Sequence, residues 1–405
     1  MIAWFRKLAQ RGSFRRALCL CGGGVLGGMY EVGALKALDE VLPGFRANDF
    51  DIYVGTSAGS VVAALLANGV RPADVYRAID EGLPDPLNMQ RGAVYDRDAL
   101  GRAARRFGQV LWVVGTRFLG RSRHPLPDLL AKAQGNLPPG FFGVEQLETY
   151  MRGTFEAKDL SNDFRALRRT LLIPAVDLDR AERVVFGLGD LAAVPISQAI
   201  AASSAIPGFF EPYTLDERDY VDGGVGETAH ADLAVEQGAQ VVIVVNPLVP
   251  MDGADATRPP LKKQGFYSIM EQSSRMNSRS LLRMSLDGLR ARHPRLEVVL
   301  VEPRGPELFG PSMGFEASRH ALRFGYSSTK EWLLDGHFPE RASSPRRDGV
   351  AGAAAGSIPM RGAIASLARR TLGRGSPTEA GARPSIGVAP GPRVPTDGEV
   401  RSETA

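Results

Sequence analysis

Ser57 stands in the run "DFDIYVGTSAGSVVAALLANG", centred between Gly55 and Gly59 in a G-x-S-x-G. A serine hydroxyl is not ionised near neutral pH, so chemistry at Ser57 needs a neighbour to take its proton. The pattern carries meaning where a strand enters a tight turn and a helix leaves it. The glycines then permit a crowded backbone and the hydroxyl stands on a helix N-terminus. Here "FDIYV" supplies the strand, "GTSAG" the turn and "SVVAALLANG" the helix, whose N–H groups and macrodipole favour negative charge beside the hydroxyl. The bare pattern is cheap, since "GPSMG" repeats it at residues 310–314. That copy follows loop residues rather than a strand, and Pro311 restricts the backbone before it, so Ser312 reads as a loop serine.

Two further glycine turns bear on Ser57. In "CGGGVLGGMY", Gly22, Gly24 and Gly27 satisfy G-x-G-x-x-G after a strand. A dinucleotide site would need an acidic residue about 20 positions on, at a strand end. Asp39 and Glu40 fall inside the first helix, and Asp49 and Asp51 lie at the wrong end of the second strand. Alternatively the N–H groups of Gly22, Gly23 and Gly24 form an oxyanion hole facing the serine turn. A third reading is that these glycines only let strand and helix pack closely. In "DYVDGGVGE", Asp222 closes a strand and enters Gly223–Gly224. A carboxylate there could orient Ser57 and accept its proton, although an aspartate in a glycine turn is also ordinary turn chemistry. Of the five histidines, His230 follows Asp222 by eight residues within the next helix, His124 lies in an insertion, and His293, His320 and His337 lie in polar helical segments. All five read as lone surface histidines.

The series "GGGVLGG", "GTSAG", "SSAIPGFFEP" and "VDGG", in this order over roughly residues 17–250, resembles the patatin-like lipid acyl hydrolases, or patatin-like phospholipases. The resemblance implies a Ser–Asp dyad, with Ser57 as nucleophile and Asp222 as base. It also implies an oxyanion hole from Gly22, Gly23 and Gly24, with Gly27, Gly55, Gly59, Gly223 and Gly224 supporting the turns. The implied reaction is phospholipase A or lysophospholipase-type hydrolysis of phospholipid or other acyl-ester lipids through an acyl-enzyme, with no metal or cofactor. Family members often carry a basic residue after the glycine run. This chain has Leu26 there and one residue more before the helix, but a hole built from backbone is expected to survive. The same turns would serve an esterase, a thioesterase or a storage-polyester depolymerase. They would also suit a catalytically silent lipid- or nucleotide-binding protein, against which the retained Ser57 and Asp222 argue.

These turns need a scaffold. Strands at "RALCLC", "FDIYV", "TLLIPAVD", "YVD", "QVVIVV" and "RLEVVLV" alternate with helical patterns, so an α/β fold is expected, with a mostly parallel central sheet covered by helices on both faces, a three-layer α/β/α architecture. Sites in such sheets lie at the carboxyl ends of strands. "TLLIPAVDLDRAERVVFGLG" reads as a hairpin. A helical insertion is expected over about 84–160, where a substrate pocket or lid could be built. "FYSIMEQSSRMNSRSLLRMSLDGLRAR" reads as a long helix whose arginines either dock anionic lipid or form a solvated face. Residues 17–338 form the catalytic domain in this reading. Residues 1–16 are a basic leader, and 339–405, rich in Ala, Gly, Pro and Ser, a disordered tail.

Composition bounds the rest. At 405 residues, 44% hydrophobic and 23% charged, the chain is an ordinary globular one. The net charge of +4 is unevenly spread: residues 1–16 carry five basic groups and no acid, leaving the folded body mildly acidic. Nucleic-acid binding therefore has no support beyond basic ends. Cys19 and Cys21, the only two cysteines, cannot form a disulfide framework and read as small buried thiols. No secretory h-region and no run of transmembrane length is present, so a cytoplasmic protein touching membranes transiently is expected. "MIAWFRKLA" sets Ile2, Phe5 and Leu8 beside Arg6 and Lys7, a pattern that suits either a lipid contact or a frayed leader.

Overall fold

The apolar run Arg16–Leu20 folds as β1, every residue of it buried, between two parallel neighbours. In the computed structural model, which describes residues 14–42, 44–95, 101, 108, 139–251, 260–304 and 312–334, seven more strands join it. They are β2 (Ile52–Gly55), β3 (Thr170–Asp177), β4 (Glu182–Phe186), β5 (Tyr213–Leu215), β6 (Arg218–Asp222), β7 (Val241–Val245) and β8 (Glu297–Val301). The order is β5-β6-β3-β2-β1-β7-β8, with β4 on β3. The five strands β1, β2, β3, β7 and β8 pair in parallel, while β4, β5 and β6 run antiparallel.

Side chains alternate across this sheet with the period of two that a pleated strand imposes. Leu18, Leu20, Tyr53 and Ile173 enter one core with helices α1 (Gly24–Val41), α2 (Ala58–Ala67), α3 (Pro72–Asp80), α4 (Glu145–Ala157), α5 (Ile196–Ser203) and α8 (Ser318–Leu334). Ala17, Cys19, Ile52, Val54 and Leu172 enter the other, with α6 (Ala231–Glu236) and α7 (Phe266–Arg292). The sheet is thus mixed, mostly parallel, and covered on both faces, a three-layer α/β/α arrangement. Both cysteines are free and buried.

Three local differences from the expected elements have physical causes. The helix read from "ISQAIAASSAIPGFF" ends at Ser203, earlier than Pro207 requires, because Ser203 and Ser204 turn toward Pro174 and the cavity instead. That read from "TAHADLAVEQGA" shrinks to α6, because His230 adopts a left-handed conformation, φ 45°, that no helix interior accepts. The three-residue strand β5 carries too few residues to show a period. Residues 1–13 of the leader, the tail and residues 96–100, 102–107 and 109–138 of the insertion lie outside the described residues, while Arg16, read as the leader's last residue, opens β1.

Helices α1 and α8 cross at a pair of glycines. A Cβ at Gly325 would overlap the Tyr30 carbonyl and lie 2.9 Å from Tyr30 Cα, and one at Gly33 would lie 2.7 Å from Tyr326 N. Alanine gains about 1 kcal/mol of helix propensity over glycine. Here the opposing atoms are backbone and cannot swing aside, so overpacking wins. Gly325→Ala is expected to lower stability by roughly 1–3 kcal/mol, read as the urea midpoint. A midpoint that rises would show that the two helices are free to separate.

Candidate active site

Strand β2 runs out at Gly55, and Ser57 then takes φ 55° and ψ −130° as the N-cap of α2. Holding a non-glycine residue there costs of order 1–3 kcal/mol, so the surroundings must enforce it. They do so with hydrogen bonds. The Ser57 N–H donates to Ser203 Oγ at 3.0 Å, and that hydroxyl donates to the Pro174 carbonyl at 2.7 Å. Gly59 N–H donates to Thr56 O at 2.9 Å, while Ser60 N–H and Oγ both donate to Ser57 O, at 2.8 and 2.5 Å.

Asp222 arrives from the opposite direction. β2 pairs with residues 170–172 of β3 in parallel, and β6 pairs with 175–177 antiparallel, so the carboxyl ends of β2 and β6 point at one another. They meet beside Pro174, where a Cβ at Gly223 would overlap the Pro174 carbonyl and lie 3.2 Å from Thr56 Cγ2. The Asp222 carboxyl is buried and accepts the Gly224 N–H at 2.7 Å, with Ser57 beside it. Burial pushes its pKa up to about 6, against the downward pull of Ser57 and of the Gly224 N–H.

The glycine turn closes the third side. Gly22, Gly23 and Gly24 have φ of 74°, 114° and 65°, a run of left-handed conformations that side chains rarely adopt. The N–H of Gly22 donates to Glu31 Oε1 at 2.9 Å. Gly22 is thus committed to an internal carboxyl, which narrows the three expected oxyanion donors to Gly23 and Gly24. Glu31 is fully buried, and burial holds its pKa well above the usual carboxylate range, against the Gly22 N–H it accepts. Behind the turn, Ser312 O accepts the Leu26 N–H at 2.9 Å, Glu271 Oε1 accepts the Ser312 N–H at 3.1 Å, and Tyr95 Oη donates to Met313 O at 2.6 Å. The second G-x-S-x-G therefore packs its main chain on the first glycine turn.

His230 corrects the surface reading. It is 2% exposed, with Nε2 3.2 Å from Gly223 O and Nδ1 3.3 Å from Arg183 Nη1. Since a guanidinium only donates, Nδ1 is the acceptor and Nε2–H the donor to the carbonyl beside Asp222. Burial, then the Arg183 charge, lowers its pKa to about 4, so it is neutral at pH 7. It steadies the Asp222 turn and takes no place beside Ser57 in these bonds. Among the described residues, Glu227, His230 and Asp232 form a cluster whose donor atoms lie within 4.8 Å of one another and could hold a metal. Arg183 already places a cation there, 2.8 Å from Asp232 Oδ2.

Ser57 and Gly24 also wall one end of an apolar cavity of about 90 Å³. It runs past Val61, Val62 and Leu65 of α2 to Leu147 and Met151 of α4, and among the described residues no charged side chain lines it. From Ala58 to Leu65 the helix rise gives it a reach of roughly 10 Å along α2.

Ser57, Asp222 and the Gly22–Gly24 turn are brought together, as their order in the chain led one to expect. Gly27 and Gly59 lie in the first turns of α1 and α2, Gly55 ends β2, and Gly224 follows Asp222 in its turn. Ser203, Glu31 and the Arg183–His230 pair were not singled out. Ser203 had a signal, lying inside "SSAIPGFF". Glu31 had a weaker one, as the only charge in residues 24–35 of α1.

Residues 18–235 match the family described as patatin-like phospholipase. Among curated proteins, the chain is 29% identical over 211 residues to the uncharacterized protein YqhO of Bacillus subtilis (strain 168), covering 50% of this chain and 61% of that one. It is 20% identical over 220 residues to "Probable lipid hydrolase 463L" of Invertebrate iridescent virus 6, covering 53% and 61%. The chain thus spans about three fifths of the length of these relatives. Among solved structures, VipD from Legionella pneumophila aligns at 16% identity and a TM-score of 0.33, over 80% of this chain and 66% of that one.

The buried Asp222 carboxyl has a measurable stability signature. Its folded pKa of about 6 lies above the ordinary unfolded value, so the folded chain binds the extra proton between them. Stability is therefore lost as pH rises through that window, by roughly 2–3 kcal/mol in full. Asp222→Asn keeps the Gly224 bond without the charge, and is expected to be more stable than the parent at pH 8 by roughly 1–3 kcal/mol. The gap should close below about pH 4. A urea-midpoint difference that is the same at both pH values would rule out the buried charge as its cause.

Proposed function

The chain belongs to the patatin-like phospholipase family, and on that premise we propose that it is a lipid acyl hydrolase working through Ser57 and Asp222. The observation that carries this reading is a strained serine, beside a buried carboxyl, at the end of a cavity with no charged side chain among its described lining residues. In the first step Ser57 Oγ attacks the ester carbonyl as its proton passes to Asp222. The oxyanion is received by the N–H groups of Gly23 and Gly24, for which the described residues offer no other acceptor, together with the N-terminal dipoles of α1 and α2. Collapse expels the alcohol and leaves an acyl-enzyme with its chain along α2. Water, deprotonated by Asp222, then releases the fatty acid. The cavity's apolar length favours long acyl chains over the small acids a general esterase takes.

Ser57→Ala is expected to remove fatty-acid release from phospholipid and labelling by a fluorophosphonate, and Asp222→Asn to cut turnover by about 10³-fold or more. Undiminished release by the alanine variant would end the assignment of Ser57. The panel that reads this should include short- and long-chain esters. A preference for the short ones would favour a soluble esterase instead.

A base must be ionised to act. With Asp222 at about 6, kcat/KM is expected to fall as pH drops through that value and to level off above it. Glu227, which burial raises to about 7, is the neighbouring carboxyl to distinguish. Glu227→Gln should leave the limb in place, and a limb that disappears with that substitution belongs to Glu227.

A further inference from the structure

Over its first four turns, helix α7 pairs charges on its inner side and carries apolar residues outside. Arg275 is buried and pairs with Glu271 at 2.6 Å, and Arg279 reaches Glu302 at 2.9 Å. Leu282, Leu286 and Leu289 face the sheet with them. At 100° per residue, the opposite side carries Phe266, Ile269, Met270, Met276, Leu281 and Met284, separated by Ser273, Asn277 and Ser280. All six apolar residues are exposed, Phe266 at 79% and Met284 at 71%. No charged side chain falls within this stripe from Phe266 to Met284, a length of about 27 Å. An ordinary surface helix has the reverse arrangement, so an uncovered stripe of this kind marks a surface that something else covers.

Two observations identify the occupant. At the head of the stripe stand Lys262 and Lys263, both exposed and, among the described residues, without an acidic partner. The stripe itself offers nothing anionic for them to meet, so the complementary charge comes from the partner. The same end of α7 also holds the cavity wall. Glu271 accepts the Ser312 N–H, which sets Met313 against Gly24 and into the cavity lining. An anionic bilayer fits all of this, with an apolar stripe to sink below the headgroups, two lysines at their level, and a charge-free cavity for one acyl chain close by.

We propose that the outer face of α7, from Phe266 to Met284, with Lys262 and Lys263 just before it, is the surface on which this protein docks to anionic membranes. The proposal rests on the lipid acyl hydrolase reading for its benefit to catalysis, although the docking itself does not require turnover. A helix lying in the headgroup plane would hold the Ser312–Met313 segment near the lipid, so that a chain entering the cavity has little water to cross.

The test uses the full chain carrying Ser57→Ala, so that vesicles stay intact, and flotation with phosphatidylcholine vesicles with and without phosphatidylglycerol. The parent should float with the anionic vesicles. Met270→Glu combined with Met284→Glu should weaken that binding by about tenfold or more, and Lys262→Glu with Lys263→Glu should abolish the preference for phosphatidylglycerol. In the Ser57-containing chain, the same substitutions should leave hydrolysis of a short soluble ester unchanged, which also shows that they fold. Equal flotation of parent and variants overturns the proposal. So does a parent that is dimeric and becomes monomeric on these substitutions without a change in flotation, since the face then belongs to a second copy. If no ester is hydrolysed by any form while flotation still follows the stripe, the docking surface stands and the catalytic reading falls.

Discussion

The carboxyl ends of β2 and β6 meet at backbone distance, and most of the local chemistry is a consequence of fitting two strand ends into one gap. β3 serves both, giving residues 170–172 to β2 and 175–177 to β6. Between them stands Pro174, a residue that belongs in a sheet only where no N–H is wanted. Its carbonyl would be left bare in that gap, and Ser203 Oγ fills the role of the missing strand. The same hydroxyl accepts the Ser57 N–H, so one buried serine both completes the sheet and fixes the strained residue. Gly223 has no side chain because Pro174 and Thr56 leave no room for one.

Cations are kept away from this meeting point. Asp222 accepts the Gly224 N–H, Glu31 accepts the Gly22 N–H, and among the described residues the cavity has no charge on its wall. Had a guanidinium stood beside Asp222, the carboxyl would be a far weaker base, because an opposite charge at contact favours the ionised form. The nearest network cation, Arg183, is directed to Asp232 and His230, with the imidazole between it and the Gly223 carbonyl. A buried carboxyl with donors but no cation titrates near neutrality, where a general base is most useful.

What the chain made legible were features that local chemistry must declare. Left-handed turns demand glycine, buried parallel strands demand β-branched runs, and a serine on an elbow needs both. So Ser57, Asp222 and the Gly22–Gly24 turn could be named and ordered, and β7 could be read from "VVIVV". What stayed hidden depends on partners far away in sequence. Whether Gly22 offers its N–H outward depends on Glu31, whose direction in α1 follows from helix phase and not from residue type. His230 looked like a surface residue because its segment is polar. Its burial comes from Gly223 and Arg183, one on each ring nitrogen.

Helix α7 shows the limit most plainly. Its sequence sets Arg275, Arg279 and Arg283 four residues apart, and a wheel shows that they share a side but not which side meets water. Two carboxyls decide. Glu271 lies one turn before Arg275 and Glu302 follows β8, and both stand on the inner side. Arg275 is nearly closed off from solvent, and leaving such a charge without its partner costs several kcal/mol, about 3–5 by the usual measure of a broken buried pair. Exposing six apolar side chains costs less per residue, because each was only partly shielded in the unfolded chain and roughly half of any protein surface is apolar. The helix therefore turns Arg275 and Arg279 inward, and the apolar stripe faces outward because that is the rotation the ion pairs permit.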